Sequence, residues 1–348
     1  VKETTVTVKD IARIAQVSIG TVDRVIHNRG RVSDTTRARI QKIIEETGYS
    51  PNLQASRLSK AKTWTVAAVF PRTDQDSGFW EESARGLARA NEDYAGLGLR
   101  SIHLPFDRTE PRDFHRAVEE ALAGGSDALL LAPVLTDPAR EALAAVPPEM
   151  PLILFDTPLP GSGAETFVGQ DAHAAGKLGA RLLCLAAKSA RQLAAVAISP
   201  GDHHIDQRIQ GFRSFLETET AGAISQVFQL HNPDNPDAID EVLANIESAL
   251  PEVSGLYVAN SAVGRVARRA ALRGLDWLII GHDMTPGNLE ALQEGQISFL
   301  ISQHPSLQTF EAMRLLWKHF AMKTKLPDTL SMPIDIISPE NWSYYREI

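Results

Sequence analysis

Residues 8–26, VKDIARIAQVSIGTVDRVI, decide how the rest of the chain is read. Thr7 and Asp10 stand just before and just inside this stretch at capping-box spacing. A hydroxyl at the N-cap and a carboxyl three residues on can hold backbone N–H groups that a first helical turn leaves bare. Ile11, Ala12, Ile14 and Ala15 then predict an apolar face on a short helix. Val17 falls in a turn, where it can plug a small core, and Ser18 is the next N-cap. A second helix over residues 19–27 turns Val22, Val25 and Ile26 inward and leaves Ile19, Gly20, Asp23 and Arg24 on its outer face. After NRGRVS, Ser33 can cap a third helix over residues 34–48. Ala38, Ile40, Ile43 and Ile44 form its inward stripe, and Gly48 suits a left-handed C-cap.

Two short helices on a third predict a helix–turn–helix, whose second helix enters the major groove of duplex DNA by its N-terminal residues. Charge agrees. The first 62 residues hold twelve Lys and Arg against six Asp and Glu, a net +6, while the whole chain is -8, leaving -14 on residues 63–348. A basic head on an acidic body predicts a polyanion as the head's partner. Ser18, Thr21 and the helix N-termini can hold phosphates, with Arg24, Arg29 and Arg31 adding positive charge.

At 348 residues and 43% hydrophobic content, the chain has room for two or three domains with full-sized cores. Its one cysteine, Cys184, excludes an internal disulfide and is read as a core thiol within ARLLCLAAK. No run approaches the about 18 apolar residues of a spanning helix, and the first residues lack the apolar stretch of a secretory signal. A cytoplasmic protein, nucleoid-associated and without a membrane partner, is the expectation.

From Trp64 onward the texture is α/β. Apolar runs such as TWTVAAVFP, SDALLLAP, PLILFD, RQLAAVAIS, GLYVAN and LDWLIIGHD alternate with helical stretches such as FWEESARGLARANEDY and PSLQTFEAMRLLWKHF. Strands separated by helices predict parallel sheets with helices on both faces. Ligands of such sheets sit beyond the carboxyl ends of the strands.

On these residues the chain resembles the LacI family of bacterial transcriptional regulators, without a gap from VKDIARIAQ through SPNLQASRLS, and the resemblance continues through the body to about Ser338. The body is similar to the type I periplasmic binding proteins. The resemblance implies a helix–turn–helix headpiece over 1–49 and a hinge helix and linker over 50–62. It also implies two doubly wound parallel-sheet subdomains, 63–160 with 286–327 and 161–285 with 328–348. Three crossovers would join them, near Leu159–Gly163, Asp283–Pro286 and Leu326–Pro333.

The resemblance implies that Ile19, Gly20 and Arg24 occupy the main recognition positions, with Ser18, Thr21, Asp23, His27, Asn28 and Arg31 around them. Gly20 offers no side chain to read a base. Asp23 stands where the family commonly has serine and His27 where it has asparagine, so the resemblance implies DNA binding without implying the operator sequence. In the hinge, Leu58 corresponds to the leucine that wedges into the minor groove and Ala55 to the small residue packed beside it. A plain linker is the competing reading.

For the pocket, the resemblance points to Ser77, Phe79 and Trp80 in DSGFW, and to Asp156, Arg208, Asn260, Asp283 and Gln303. Two carboxylates, an arginine and two amides match a small polyhydroxylated effector, a sugar or cyclitol, better than an apolar ligand. Arg208 as the only strong cation of the set argues against a sugar phosphate. Helix capping or loop holding competes as the role of Asp156, Asp283 and Asn260.

The expected function is a sequence-specific repressor controlled by that effector. Its DNA would be a pseudo-palindromic operator read by a homodimer, with no leucine heptads to extend it to a tetramer. The alternative is a sugar-binding module that delivers ligand to a transporter. Catalysis, a metal and a cofactor are not expected. His203 and His204 lack metal-ligand spacing, and GSGAE lacks the strand–loop–helix context of a dinucleotide site.

Overall fold

The structure, a computed structural model, describes residues 8–26, 32–47, 63–186, 192–198, 202–220 and 224–345. Two compact units divide the chain between Lys62 and Thr63.

The N-terminal unit holds α1 (Val8–Ile14), α2 (Ile19–Ile26) and α3 (Asp34–Thr47). Ile11, Ala12, Ala15, Val22, Val25, Ile40 and Ile43 are buried together, and Val17, Val32 and Ile44 pack against them. Two expected caps are present. Ser18 Oγ accepts from the Thr21 N–H at 3.2 Å, and Ser33 Oγ accepts from the Thr36 N–H at 3.4 Å. Thr7 and Gly48 lie outside the described residues. Two expected core positions do not hold. Ile14 is 51% exposed because Ile11, Ala12 and Ala15 already form the packed face of α1, and Ile14 falls on its flank. Ala38 is exposed because it stands two positions before Ile40 on a helix of 3.6 residues per turn, which turns it to the far side.

In the second unit, strand and helix alternate as the apolar pattern predicts. The order is β1 (Trp64–Pro71), α4 (Phe79–Ala95), β2 (Leu99–Phe106), α5 (Pro111–Ala123), β3 (Ala128–Leu131), α6 (Thr136–Leu143), β4 (Leu152–Phe155) and β5 (Thr166–Gly169). It continues with α7 (Ala172–Ala186), β6 (Gln192–Ile198), α8 (His203–Glu219), β7 (Ile224–Leu230), α9 (Pro236–Ala249), β8 (Val253–Val258), α10 (Val263–Leu272), β9 (Leu278–His282), α11 (Pro286–Gln293) and β10 (Phe299–Ser302). The last elements are α12 (Pro305–Met322), β11 (Thr329–Ser331) and β12 (Asp335–Ile337).

These strands form two six-stranded sheets, ordered β11-β5-β4-β3-β1-β2 and β12-β10-β9-β8-β6-β7. All pairings are parallel except that of β12 with β10. The second order repeats the first strand for strand, so β4 and β9 are equivalent, as are β1 and β6. Central strands such as β3 and β4 are apolar on both faces because helices cover both.

The chain passes between the sheets at Gln170–Asp171, Gln303–His304 and Met332–Ile334. The first two places correct the expected Leu159–Gly163 and Asp283–Pro286. The Pro- and Gly-rich stretch 157–165 only returns the chain to β5, which pairs with β4 at Ile153↔Thr166. After Asp283, α11 packs on α10, and β10 adds to β9 at Phe299↔Ile280 before the chain leaves the second lobe.

Candidate functional site

On the N-terminal unit the outer face of α2 is open. Ile19 is 50% exposed, Ser18, Gly20 and Arg24 are exposed, and Thr21 is half-buried. Ser18 and Thr21 hydroxyls lie 2.9 Å apart at the start of the helix. His27, Asn28, Arg31, Ala55 and Leu58 lie outside the described residues, as does the side chain of Asp23.

In the body, the carboxyl ends of strands from both sheets meet across one cleft. Phe79, Trp80, Asp156, Arg208, Asn260, Asp283 and Gln303 all line it. Ser77 does not; its neighbour Asp76 does. Both residues sit in a tight turn with left-handed backbone, and only Asp76 is held, by Trp80 Nε1 at 2.6 Å and Arg108 at 2.6 Å. The ring of Trp80 itself is buried against Phe70, Phe79 and Phe155, so its indole serves more to set Asp76 than to offer a face.

Arg208 is 1% exposed on α8, near its start. It is placed there by a close helix contact. A Cβ on Gly176 of α7 would come within 1.9 Å of the Arg208 carbonyl oxygen, and one on Gly211 within 2.0 Å of that of His173. The guanidinium donates to Ala259 O at 2.9 Å and Gln303 Oε1 at 3.0 Å. Gln303 Nε2 in turn donates to Asp283 Oδ2 at 3.0 Å.

Asp156 follows β4 and Asp283 follows β9, the equivalent strands of the two sheets. Both adopt left-handed backbone, φ 64 and φ 68. Such a conformation is uncommon for a residue with a side chain, and it persists where the surroundings hold it in place. Here the Asp156 N–H reaches across to Val168 O and the Asp283 N–H to Ile301 O, each on the next strand. Burial pushes the Asp156 carboxyl up to about 7 and that of Asp283 up to about 6, against the lowering effect of Arg208 on both. Asp156 Oδ1, Asp283 Oδ1 and Arg208 Nε are buried without a hydrogen-bond partner. Asn260 lines the cleft, but its Oδ1 accepts from the Ala262 N–H at 2.9 Å, the local role weighed against ligand contact.

Several residues of the cleft escaped the sequence reading, Asp76, Arg108, Asp202, His204 and Ser261 among them. Arg108 follows β2 and bridges Asp76 of its own lobe to Asp202 of the other, at 2.6 Å and 2.7 Å. His204 Nδ1 lies 2.9 Å from Thr157 Oγ1, again across the lobes. Ser261 Oγ donates to Asp76 O at 3.1 Å. Arg108 is thus a second strong cation, but two carboxylates already bracket it. With the lobes so engaged, the space left among these side chains is about 30 Å³, room for about one water molecule. Arg108 and Asp202 follow strand ends, and the rule that singled out Asp156 and Asp283 applies equally to them.

The crossovers are tied together beside the cleft. Gln170 Nε2 donates to Ser302 O and Pro333 O, each at 2.8 Å, so one side chain on the first crossover holds the other two. Gln308 accepts from the Asp156 N–H at 2.8 Å and donates to Gln303 O at 2.9 Å, linking the two strand-end aspartates through the second crossover. Among the described residues, no group of three or more His, Cys, Asp and Glu is placed to hold a metal ion, and no helix is long and apolar enough to cross a membrane.

A helix–turn–helix unit joined to a two-lobed α/β body with its cleft at the strand ends defines a DNA-binding module fused to a binding-protein-like effector domain. Residues 67–324 match the periplasmic binding protein domain, and residues 7–52 match the lacI family of bacterial regulatory proteins. The chain belongs to the lacI family, with a periplasmic-binding-protein body. It is 25% identical over 295 residues to the HTH-type transcriptional regulator DegA of Bacillus subtilis, covering 80% of this chain and 82% of that one. To catabolite control protein A of Priestia megaterium it is 37% identical over 111 residues, 32% of each chain. A structure from Bacteroides fragilis assigned to the LacI transcriptional regulators superposes with a TM-score of 0.74 at 25% identity, over 82% of this chain and all (100%) of that one. GanP of Geobacillus stearothermophilus, a glucose-galactose binding protein, shares the fold with a TM-score of 0.68 at 20% identity, over 81% of this chain and 99% of that one.

Proposed function

We propose that the protein is a transcriptional repressor whose affinity for a pseudo-palindromic operator is set by a small polyhydroxylated effector held between its two lobes. The observation that carries this reading is the convergence of Asp156, Arg208, Asp283 and Gln303 on one cleft in a chain that begins with a lacI-type helix–turn–helix. A hydroxyl both donates and accepts. A sugar or cyclitol can therefore serve the carboxylate oxygens of Asp156 and Asp283 and the Nε–H of Arg208 together. An anionic effector would face four carboxylates, from Asp76, Asp156, Asp202 and Asp283.

The lobes meet through polar contacts that water can replace on opening, each worth roughly 0.5–1.5 kcal/mol net. An effector that binds only one arrangement can shift such a balance. A change of lobe angle would reach the operator through the segment 50–62, where Leu58 and Ala55 are proposed to meet the minor groove, with a coupling of roughly 1–3 kcal/mol. A homodimer is proposed because one α2 reads few base pairs and a palindrome presents two half-sites. The test is a gel shift of the full chain on palindromic duplexes, with and without pentoses, hexoses, deoxy-sugars and inositols found by thermal shift. Retention on specific DNA that a sugar changes is expected. Melting shifts from purines or sugar phosphates alone would overturn the effector class.

A further inference from the structure

All three crossovers leave from one end of the sheets, where β5 and β11 lie in the first and β10 and β12 in the second. Arg108 follows β2, the strand at the opposite end of the first sheet. Asp202 follows β6, next to the opposite end of the second. Their ion pair therefore joins the lobes at the lip of the cleft, across from the crossovers. A change of lobe angle separates the lobes most at that lip.

The parts of this bridge are set for it. Arg108 donates through Nη1 to Asp76 Oδ1 at 2.6 Å and through Nη2 to Asp202 Oδ2 at 2.7 Å, and all three side chains are mostly buried. Asp76 belongs to the first lobe, where Trp80 Nε1 holds its other carboxylate oxygen, and its carbonyl accepts from Ser261 Oγ of the second lobe. Asp202 occupies the N-cap position of α8, where a carboxylate ordinarily accepts from the backbone. It makes no cap bond and gives Oδ2 to Arg108. With the bridge made, about 30 Å³ remains among the cleft side chains, whereas small-molecule sites enclose roughly 300–1,000 Å³. A ring-sized molecule enters only if Arg108 swings aside or the lobes move apart, and either change breaks the contact with Asp202.

We infer that the Arg108–Asp202 bridge is a latch that competes with the effector: it holds the lobes together at the lip, and effector binding breaks it. The inference rests on the reading of the cleft as the effector site. Opening the latch leaves Arg108 paired with Asp76, so that end of the bridge is not stranded as a bare charge. Two consequences separate a latch from a ligand contact. Weakening a latch raises the population of lobes able to accept the effector and so tightens its binding, whereas removing a ligand contact loosens it. By linkage, a weakened latch also moves operator affinity in the direction in which the effector moves it.

The test compares the full chain with Asp202→Ala, which removes the second lobe's end of the bridge, and with Asp202→Asn, which keeps its shape without its charge. His204 lies between the lobes, with Nδ1 2.9 Å from Thr157 Oγ1, so its labelling by diethyl pyrocarbonate reports opening without any effector. Against exposed His231 as reference, His204 is expected to label about tenfold faster in Asp202→Ala, the equivalent of about 1.4 kcal/mol, and by a smaller factor in Asp202→Asn. Calorimetry with D-ribose, D-galactose, L-fucose and myo-inositol should show whichever of them binds the native chain binding Asp202→Ala about tenfold tighter. In a gel shift, Asp202→Ala without sugar should lie between the native chain without and with that sugar. Unchanged labelling of His204 would overturn the latch. Weaker sugar binding by Asp202→Ala would make Asp202 a ligand contact and overturn the competition, while the cleft reading stands. If none of the four binds either chain, the effector class fails and labelling alone still decides the latch.

Discussion

In the N-terminal unit the residues offered to a partner stand outside a core of seven buried side chains, and Ile19 is half exposed. In the body they are sealed between lobes, with Arg208 1% and Asp283 2% exposed. The first arrangement reads a polyanion by charge summed over a solvated surface, and geometry matters at only a few side chains. The second reads a small ligand by desolvated hydrogen bonds, where each missing partner is costly. The two units should therefore respond differently to salt, to pH and to single substitutions.

The largest contrast is with salt. Operator affinity is expected to fall by about three orders of magnitude or more between 50 and 200 mM salt if six or more phosphates are contacted. Effector affinity should stay nearly constant, since its charges are buried and poorly screened. Parallel titrations of both ligands check this, and parallel slopes would break the contrast.

Arg208→Ala comes next. It leaves Asp156 and Asp283 buried without their common cation, a loss of the order of 3–5 kcal/mol. Effector binding should become undetectable and the body should melt earlier, while operator binding without effector persists. Loss of operator binding in the variant would mean that the two units are not separable.

A smaller effect is expected with pH. Hydroxyl donors favour ionised carboxylates, so effector affinity should rise between about pH 5.5 and 8 as Asp283, near 6, and then Asp156, near 7, lose their protons. Asp156→Asn should flatten the upper part of that rise. Stability is the poorer readout because opposite contributions overlap. Both carboxylates have raised values, so the stability they contribute is present at low pH and lost as pH rises through about 6 and about 7. Burial holds His204 and His282 well below 6.5, so their contribution is lost as pH falls below the ordinary histidine value.

The smallest change is Ser33→Ala, which removes the N-cap of α3 at a cost of about 1 kcal/mol to the N-terminal unit. Operator affinity should drop by no more than severalfold and effector binding should not move, as titration of each ligand would show.

Much of the cleft was legible because strand-end residues follow a local rule. Asp156, Asn260, Asp283 and Gln303 each end an apolar run, and the structure brings them together. The choice of Ser77 over Asp76 failed because the turn before α4 leaves the strand and helix periods, so sequence spacing no longer says which side chain turns inward. The crossovers near Leu159 and Asp283 failed because a Pro- and Gly-rich loop looks the same whether the chain returns to its own sheet or leaves it. Pairing of β5 with β4 and of β10 with β9 settles that, and strand pairing is a contact between distant residues.

Local physics determined the caps at Ser18 and Ser33, the inward turn of Val22 and Val25 on α2 and of Ile40, Ile43 and Ile44 on α3, the alternation of strand and helix, and the basic head on an acidic body. Each depends on residues within a few positions of one another or on a simple sum of charges. Tertiary structure alone decided the bridge from Arg108 to Asp202, the contact of His204 with Thr157, and the hold of Gln170 on two other crossovers. In each case the partners are far apart in the chain. Only the packing of each lobe around its own apolar core, and the crossovers that join the two lobes, bring those polar groups within hydrogen-bonding distance.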